Sequence, residues 1–226
     1  MEQATTHPGR APRRRRDPDR TRTAILEAAG KLLAKDGPEG LSVSQVAQLA
    51  GVNRGTAYQH FQSREQLVEA TKAWVSERLC EVAFGEFQPS GEERLDPRLV
   101  SEHLIEFLMD NPELGRVWLF DVLSSAQPAN DPFWNLYKTY FQKFSESELA
   151  EPGIDCDVHA VVVLMGTFLW PVWARAHARS AKERTQMAKR FSTEMLRMSL
   201  HGTMRPEKFA DLDANLKQLF NGKQQD

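Results

Sequence analysis

Cysteine is scarce in this chain of 226 residues, which contains only Cys80 and Cys156. Two cysteines so far apart form neither the close pairs of a zinc site nor a disulfide framework, so we expect a reduced, cytoplasmic setting. The first residues include arginines but no apolar segment of the kind that a secretory signal peptide needs. The longest apolar run, residues 160–174, falls short of the roughly 20 residues that span a membrane. We therefore expect no membrane association.

Sequence signatures of catalysis are also missing. We find no nucleophile elbow, phosphate-binding loop or zinc-protease motif, and Cys156 and His159 have metal-ligand spacing without a second pair beside them. No stretch shows the strict alternation of a half-buried strand. These absences predict an all-α protein that is not an enzyme and that uses no metal or cofactor.

Charge is nearly balanced overall, with a formal net charge of -2, but it is unevenly distributed. Residues 1–72 hold 12 Lys and Arg against 8 Asp and Glu, whereas residues 73–226 hold 17 against 23. A basic front suits contact with phosphates at one end of the molecule. Residues 1–19, which include Arg13–Arg16 and several prolines, should form a disordered basic arm. This arm either meets DNA or serves as a solubilising tail.

The stretch from Leu41 to Leu67, LSVSQVAQLAGVNRGTAYQHFQSREQL, carries the main signal. Ser42 opens a capping box with Gln45 and predicts the start of a short helix. Gly51 predicts a turn with a positive φ, and Asn53 is a good N-cap for a helix that runs from Arg54 to Phe61. Ser63 predicts the cap of a longer helix, and a further helix from Arg20 to about Asp36 precedes the stretch, stopped by Gly37 and Pro38. The pattern predicts a helix-turn-helix.

The second helix of such a unit lies in a DNA major groove. Ala57 and Phe61 point inward, so the polar residues between them face outward. Arg54 is suited to read guanine or to hold phosphate, and Tyr58 and His60 to contact phosphate oxygens. The candidate DNA-binding residues are Ser42, Ser44, Gln45, Asn53, Arg54, Thr56, Tyr58, His60 and Arg64.

Residues 20–37 followed by SVSQVAQLAGVNRGTAYQHFQSREQL resemble the N-terminal domain of TetR-family transcriptional regulators. The pieces AGV, GTAYQHF and SREQL carry the resemblance through the turn, the recognition helix and the next helix. The family usually has Lys at the position of Arg64 and often Leu at that of Ala57. The resemblance implies a helix-turn-helix domain at residues 20–72 and a helical ligand-binding and dimerisation domain at residues 73–226.

Helical periods continue through the second half of the chain. Asn111-Pro112 and Asp131-Pro132 each predict a capped helix start. Two long helices are expected, from about Asp157 to Arg179 and from about Ala181 to His201, followed by a shorter one at 207–220. Pro171 should kink the first of the long helices.

Aromatic residues cluster in this half, which favours a ligand cavity with a few polar groups, although a plain aromatic core is the alternative for each residue. The candidate ligand-binding residues are His103, Trp118, Phe133, Trp134, Tyr137, Phe141, Phe168, Trp173 and His177.

The resemblance places the last two long helices at a dimer interface, as a four-helix bundle. The candidate interface residues are Val162, Gly166, Leu169, Met187, Phe191, Met195 and Met198, with ordinary core packing as the alternative.

The sequence thus predicts a homodimeric repressor that binds a palindromic operator in double-stranded DNA and is released by a small, largely apolar effector. One alternative is a DNA-binding regulator without a small ligand, either constitutive or switched by a protein partner. The other is an enzyme with a vestigial DNA-binding domain, which would need a catalytic group among His103, Asp121, His159 and His177.

Overall fold

The computed structural model describes residues 18–85, 97–212 and 214. Among these residues there is no strand, and one isolated bridge pairs Ala150 with Met204. The helices are α1 (Pro18–Gly40), α2 (Val43–Leu49), α3 (Arg54–His60), α4 (Arg64–Phe84), α5 (Pro97–Asp110), α6 (Pro112–Ser124), α7 (Pro132–Ser145), α8 (Cys156–His177) and α9 (Ala181–Leu200). The predicted all-α class is confirmed.

Helix α1 begins at Pro18, two residues earlier than predicted, so the last residues of the predicted arm are helical. Proline is favourable in the first turn because no N–H is needed there, and Asp19 complements the positive end of the helix dipole. The predicted stop is confirmed at Gly37, where the backbone leaves the helical region with φ 70° and ψ 179°. The remainder of the arm, residues 1–17, lies outside the described residues.

Helix α4 runs without a break through the domain boundary that the sequence placed after residue 72. A single hydrophobic core joins Ile25 of α1 and Leu67 of α4 to Trp118 of α6 and Phe168 of α8. The two predicted domains therefore share packed residues along α4, and a shift in one has a direct route to the other.

Two predicted helix starts in the second half differ in their caps. Asp131 Oδ1 accepts from the backbone N–H of Trp134 at 2.8 Å, so this cap is confirmed. Asn111 makes no side-chain cap, although Pro112 begins α6 as expected. Its Nδ2 donates instead to the carbonyl of Phe107 at 3.0 Å, and that carbonyl also accepts from the backbone N–H of Asn111 at 2.8 Å.

Helix α8 is longer than the apolar run within it. It has 22 residues and a mean hydropathy of 1.5 in its most apolar window, which is long and apolar enough to cross a membrane. The apolar run 160–174 is itself shorter than a membrane span, as expected, but the helix that contains it extends past the run at both ends. Core helices of globular proteins meet the same criterion, and α8 packs on α5, α6, α7 and α9. The helix continues through the buried Pro171.

The predicted terminal helix at 207–220 is only partly described. A 3₁₀ turn at Pro206–Phe209 leads into helical residues 210–212. The rest of that segment lies outside the described residues.

Candidate DNA-binding surface

Three caps hold the helices of the 41–67 stretch in place. The N–H of Gln45 donates to Ser42 Oγ at 3.2 Å, and the N–H of Thr56 donates to Asn53 Oδ1 at 3.2 Å. At the start of α4, the N–H of Gln66 donates to Ser63 Oγ at 3.1 Å. Each bond satisfies a backbone donor that a helix start leaves open, so the three predicted starts are confirmed.

The turn between α2 and α3 depends on Gly51. Its φ is 63°, a left-handed conformation that residues with a Cβ rarely adopt, as predicted. The N–H of Val52 then donates back to the carbonyl of Ala47 at 3.0 Å. Ala47 and Ala57 are both fully buried, and their small side chains let α2 and α3 approach closely.

The outward face of α3 is polar and accessible. Arg54, Tyr58 and Gln59 are exposed, while Thr56 and His60 are half-buried. The Arg54 guanidinium lies over the Tyr58 ring, 5.4 Å from its centroid, which orients both side chains from one turn of the helix. Gln45 and Ser44 of α2 are exposed and half-buried respectively, beside the turn. The face offers donors to phosphate oxygens and to base edges.

Hydrogen bonds or ion pairs between side chains engage three of the candidate DNA-binding residues, which are Ser42, Gln45 and Arg64. The Ser42 hydroxyl donates to Gln45 Oε1 at 2.9 Å, in addition to its capping role. Arg64 contacts two carboxylates, with Nη1 3.1 Å from Glu39 Oε2 and Nε 3.1 Å from Glu65 Oε1. The hydrogen bond that Arg64 donates to Glu65, followed by the charge of Glu39, raises the pKa of Arg64 above its ordinary value. A phosphate that binds Arg64 must compete with these carboxylates.

Arg22 joins this surface although it was not among the candidates. Its guanidinium lies over the ring of Phe61, 4.7 Å from the centroid, at the end of α3. The two residues are 39 positions apart in the chain, and only the packing of α1 against the helix-turn-helix unit brings them together. The one available signal was the position of Arg22 at the start of α1, beside the basic arm.

The sequence profile of the family described as "Bacterial regulatory proteins, tetR family" matches residues 25–71, which are the residues of this surface and its supporting helices. In this region the chain is similar to the N-terminal DNA-binding domain of TetR-family regulators.

Curated HTH-type transcriptional regulators match part of the chain. The chain is 38% identical to the HTH-type transcriptional regulator TtgR of Pseudomonas putida over 58 residues, which are 26% of this chain and 28% of that protein. It is 30% identical to the repressor KstR2 of Rhodococcus jostii over 84 residues, which are 37% and 39% of the two chains. The chain thus matches well under half the length of these relatives.

Solved TetR-family structures resemble the chain over most of its length. The regulator TylP from Streptomyces fradiae superposes with a TM-score of 0.59 at 18% identity, covering 90% of this chain and 97% of that one. At this identity the likeness shows the fold, which is a helix-turn-helix unit followed by a helical C-terminal part.

The nine candidate ligand-binding residues do not converge on one cavity in this TetR-family fold. Trp118 stacks on Phe168 with ring centroids 4.4 Å apart, and Phe133 meets Trp118 edge-on at 5.1 Å. These three rings are almost completely buried and fill the core, and Trp134 packs partly buried against it. Helical periodicity identified their buried faces but did not show which neighbouring helix covers them.

Three other candidates lie at the surface. His103 is exposed on α5, and Trp173 and His177 stack on each other at the end of α8 with centroids 4.1 Å apart. The remaining two, Tyr137 and Phe141, line a cavity of about 50 Å³ that α5, α7, α8 and α9 enclose. His159 also lines this cavity, and Asp121 forms an ion pair with Lys72 instead.

The candidate interface residues divide between the inside and the outside of the α8–α9 pair. Val162, Leu169 and Met198 are about half exposed. Gly166 faces Phe191, whose ring would lie 3.8 Å from an added Cβ, so these two lie within the contact between α8 and α9. Met187 packs on an internal cluster, and Met195 lines the cavity.

Proposed function

We propose that this protein is a transcriptional regulator that binds a palindromic DNA operator as a homodimer in the cytoplasm and acts as a repressor. The outward polar face of α3, held in place by the Asn53 cap and the Gly51 turn, carries the proposal. Its dimensions and side chains suit a major groove, and the helix is supported from below by the buried Ala57 and Phe61. The repressor names of relatives such as KstR2 agree with this direction of control.

Selection of genomic fragments by the purified protein tests this proposal. We expect a palindromic site, because a two-fold dimer presents the same face twice. Arg54→Ala should weaken binding and relax the preference for one base pair, by about 1–3 kcal/mol if the contact is bidentate to guanine. Lys182→Ala, which removes an exposed positive charge at the start of α9, is the matched control and should bind as wild type. Equal binding by both variants at fixed salt would contradict the assignment.

An apolar stripe on α8 supports the homodimer. Four apolar residues of α8 are exposed in the single chain and lie three, four or seven positions apart, as residues on one helix face do: Val158, Val162, Leu169 and Val172. An apolar stripe of this length on a surface helix favours burial against another protein surface. Met198 of the neighbouring α9 is also exposed.

Charge placed in the stripe tests the interface. Leu169→Arg should convert the dimer to a monomer in sedimentation experiments. It should also lower operator affinity, because a monomer presents only one copy of α3 to the DNA. Leu123→Arg is the matched control, since Leu123 is 63% exposed and Leu169 54%, but Leu123 lies on α6. If the Leu169→Arg protein remains dimeric, the dimer interface lies elsewhere on the molecule.

We further propose that an effector bound in the C-terminal part releases the DNA. Two contacts between α6 and the N-terminal helices support this coupling. A Cβ added at Gly30 of α1 would lie 2.8 Å from Leu114 Cδ2, so the helices touch closely. Lys72 Nζ of α4 lies 2.8 Å from Asp121 Oδ1 of α6. A ligand that shifts α6 therefore shifts the N-terminal helices that carry α3. Ligand binding then lowers the affinity for DNA, and DNA binding lowers the affinity for the ligand, because each favours a different conformation.

A regulator without a small-molecule ligand is the second candidate. The observation that favours it is the filled core around Trp118, Phe133 and Phe168, where the sequence had suggested a cavity. Operator affinity measured with and without ligands of the C-terminal part separates the two. Ligands that bind there and leave operator affinity unchanged would favour this second candidate.

A further inference from the structure

The cavity between α5, α7, α8 and α9 has an aromatic wall. Tyr137, Tyr140, Phe141 and Phe144 all belong to α7 and lie along its inner side. Aromatic faces carry negative electrostatic potential, so a group of them attracts cations as well as apolar groups. The opposite walls supply the hydroxyls of Ser192, Ser199 and Thr203 among apolar residues.

Glu102 of α5 is the one acidic residue in the cavity lining, and no Lys or Arg lines the cavity within the described part of the chain. Glu102 is half-buried and forms no ion pair or hydrogen bond with any described residue. A carboxylate that faces an aromatic cavity without a positive partner leaves that space at negative potential. An anionic ligand would be repelled there.

Two further ionisable groups of the lining, His159 and Tyr137, are neutral. His159 stacks on Phe141 with ring centroids 4.3 Å apart and planes at 10°, and burial lowers the pKa of its imidazole. Burial likewise raises the pKa of the Tyr137 phenol, which stays protonated. Neither group offsets the charge of Glu102.

We propose that this cavity binds a monovalent organic cation, with its ammonium head between Glu102 and the aromatic wall of α7 and its apolar body toward the cavity mouth. The proposal rests on the proposed function in one respect, which is that this cation acts as the effector. A cation interacts favourably with both the carboxylate and the ring faces, whereas a neutral ligand makes only apolar contacts with the walls.

The size of the cavity limits how the cation enters. Its volume of about 50 Å³ is smaller than the roughly 150 Å³ that accommodates benzene in an engineered protein cavity. Met195 and Met204 line the cavity, and methionine adopts alternative rotamers more readily than branched residues do. We therefore expect the head to enter first while these side chains move aside.

Calorimetric titration of the full-length protein with three probes of similar shape tests the charge preference. The probes are benzyltrimethylammonium, neutral benzyl alcohol and anionic phenylacetate. We expect the cation to bind at least tenfold more tightly than the anion. Phenylacetate binding as tightly as the cation, or no binding of the cation, would overturn the proposal.

Variants locate the binding. Glu102→Gln should lower the affinity for benzyltrimethylammonium about tenfold and leave benzyl alcohol unchanged. Glu106→Gln is the matched control, since Glu106 is exposed on the same helix and does not line the cavity. Tyr140→Leu removes an aromatic face and should lower the affinity for the cation more than the affinity for the neutral probe. Wild-type affinity for the cation in Glu102→Gln would contradict the proposed site.

Operator binding measured in parallel separates this inference from the proposed function. Cation binding by a protein that fails to bind any DNA would support the cavity and contradict the regulator assignment. Cation binding that leaves operator affinity unchanged would support the cavity and contradict the effector role.

Discussion

The sequence predicted the helix-turn-helix unit more completely than it predicted the C-terminal part. In residues 41–67 the predicted caps at Ser42, Asn53 and Ser63 are all present, and Gly51 has the predicted positive φ. In residues 97–200 the predicted helices are present, but the candidate ligand residues are distributed over core, cavity and surface. Local signals thus predict where helices start, while the arrangement of their buried faces depends on residues far apart in sequence.

The largest expected effect is a loss of stability when the core beneath α3 is disrupted. Phe61→Ala should lower the free energy of unfolding by about 3–5 kcal/mol, the usual result of removing a buried phenylalanine. Phe120→Ala in the C-terminal part should change it by less than about 0.5 kcal/mol, because an exposed side chain has little packing to lose. Phe61 is 1% exposed and Phe120 63%. Urea unfolding followed by circular dichroism measures both, and equal losses would contradict the burial.

The two asparagines that precede helices in the two regions should differ in a second test. Asn53→Ala removes a side-chain cap and should cost about 1 kcal/mol of stability. Asn111→Ala removes only a bond to the last turn of α5, so a smaller loss is expected. The same unfolding experiment compares them, with Asn130→Ala, at the end of a surface 3₁₀ turn, as a reference. A larger loss in Asn111→Ala would break the contrast between the regions.

Surface ion pairs provide a third comparison. Glu39→Gln should raise operator affinity a few-fold, since Arg64 then loses a competitor for phosphate. Glu194→Gln disrupts an equivalent exposed pair with Arg197 on α9 and should leave operator affinity unchanged. Fluorescence anisotropy with labelled operator measures both. A lower affinity in Glu39→Gln would show that Glu39 supports DNA binding.

The smallest effect is a pH dependence in the C-terminal part. Burial lowers the pKa of folded His159, so the unfolded chain takes up a proton first as the pH falls below the ordinary histidine value of about 6.5. Stability present at pH 7 should therefore decline toward pH 5, and His159→Gln should reduce that decline. His60→Gln, on the half-buried side of α3, is the control variant. An unchanged slope in His159→Gln would assign the decline to other groups.

The sequence by itself determined where most helices lie, the caps of the helix-turn-helix unit, the turn at Gly51 and the face of α3 that points outward. The physical reason is that these features depend on hydrogen bonds and dihedral preferences within about four residues, such as the Asn53 cap on Thr56. The family resemblance rested on the same short-range pattern, and the profile match confirms it over residues 25–71.

Only the tertiary structure decided which aromatic rings fill the core, where the cavity lies, and that Arg22 reaches Phe61. It also placed Glu102 in the cavity and left the stripe of α8 exposed. Helical periodicity gives the angle of a side chain about its own axis but not the neighbour that it meets, because that neighbour depends on the packing of several helices at once.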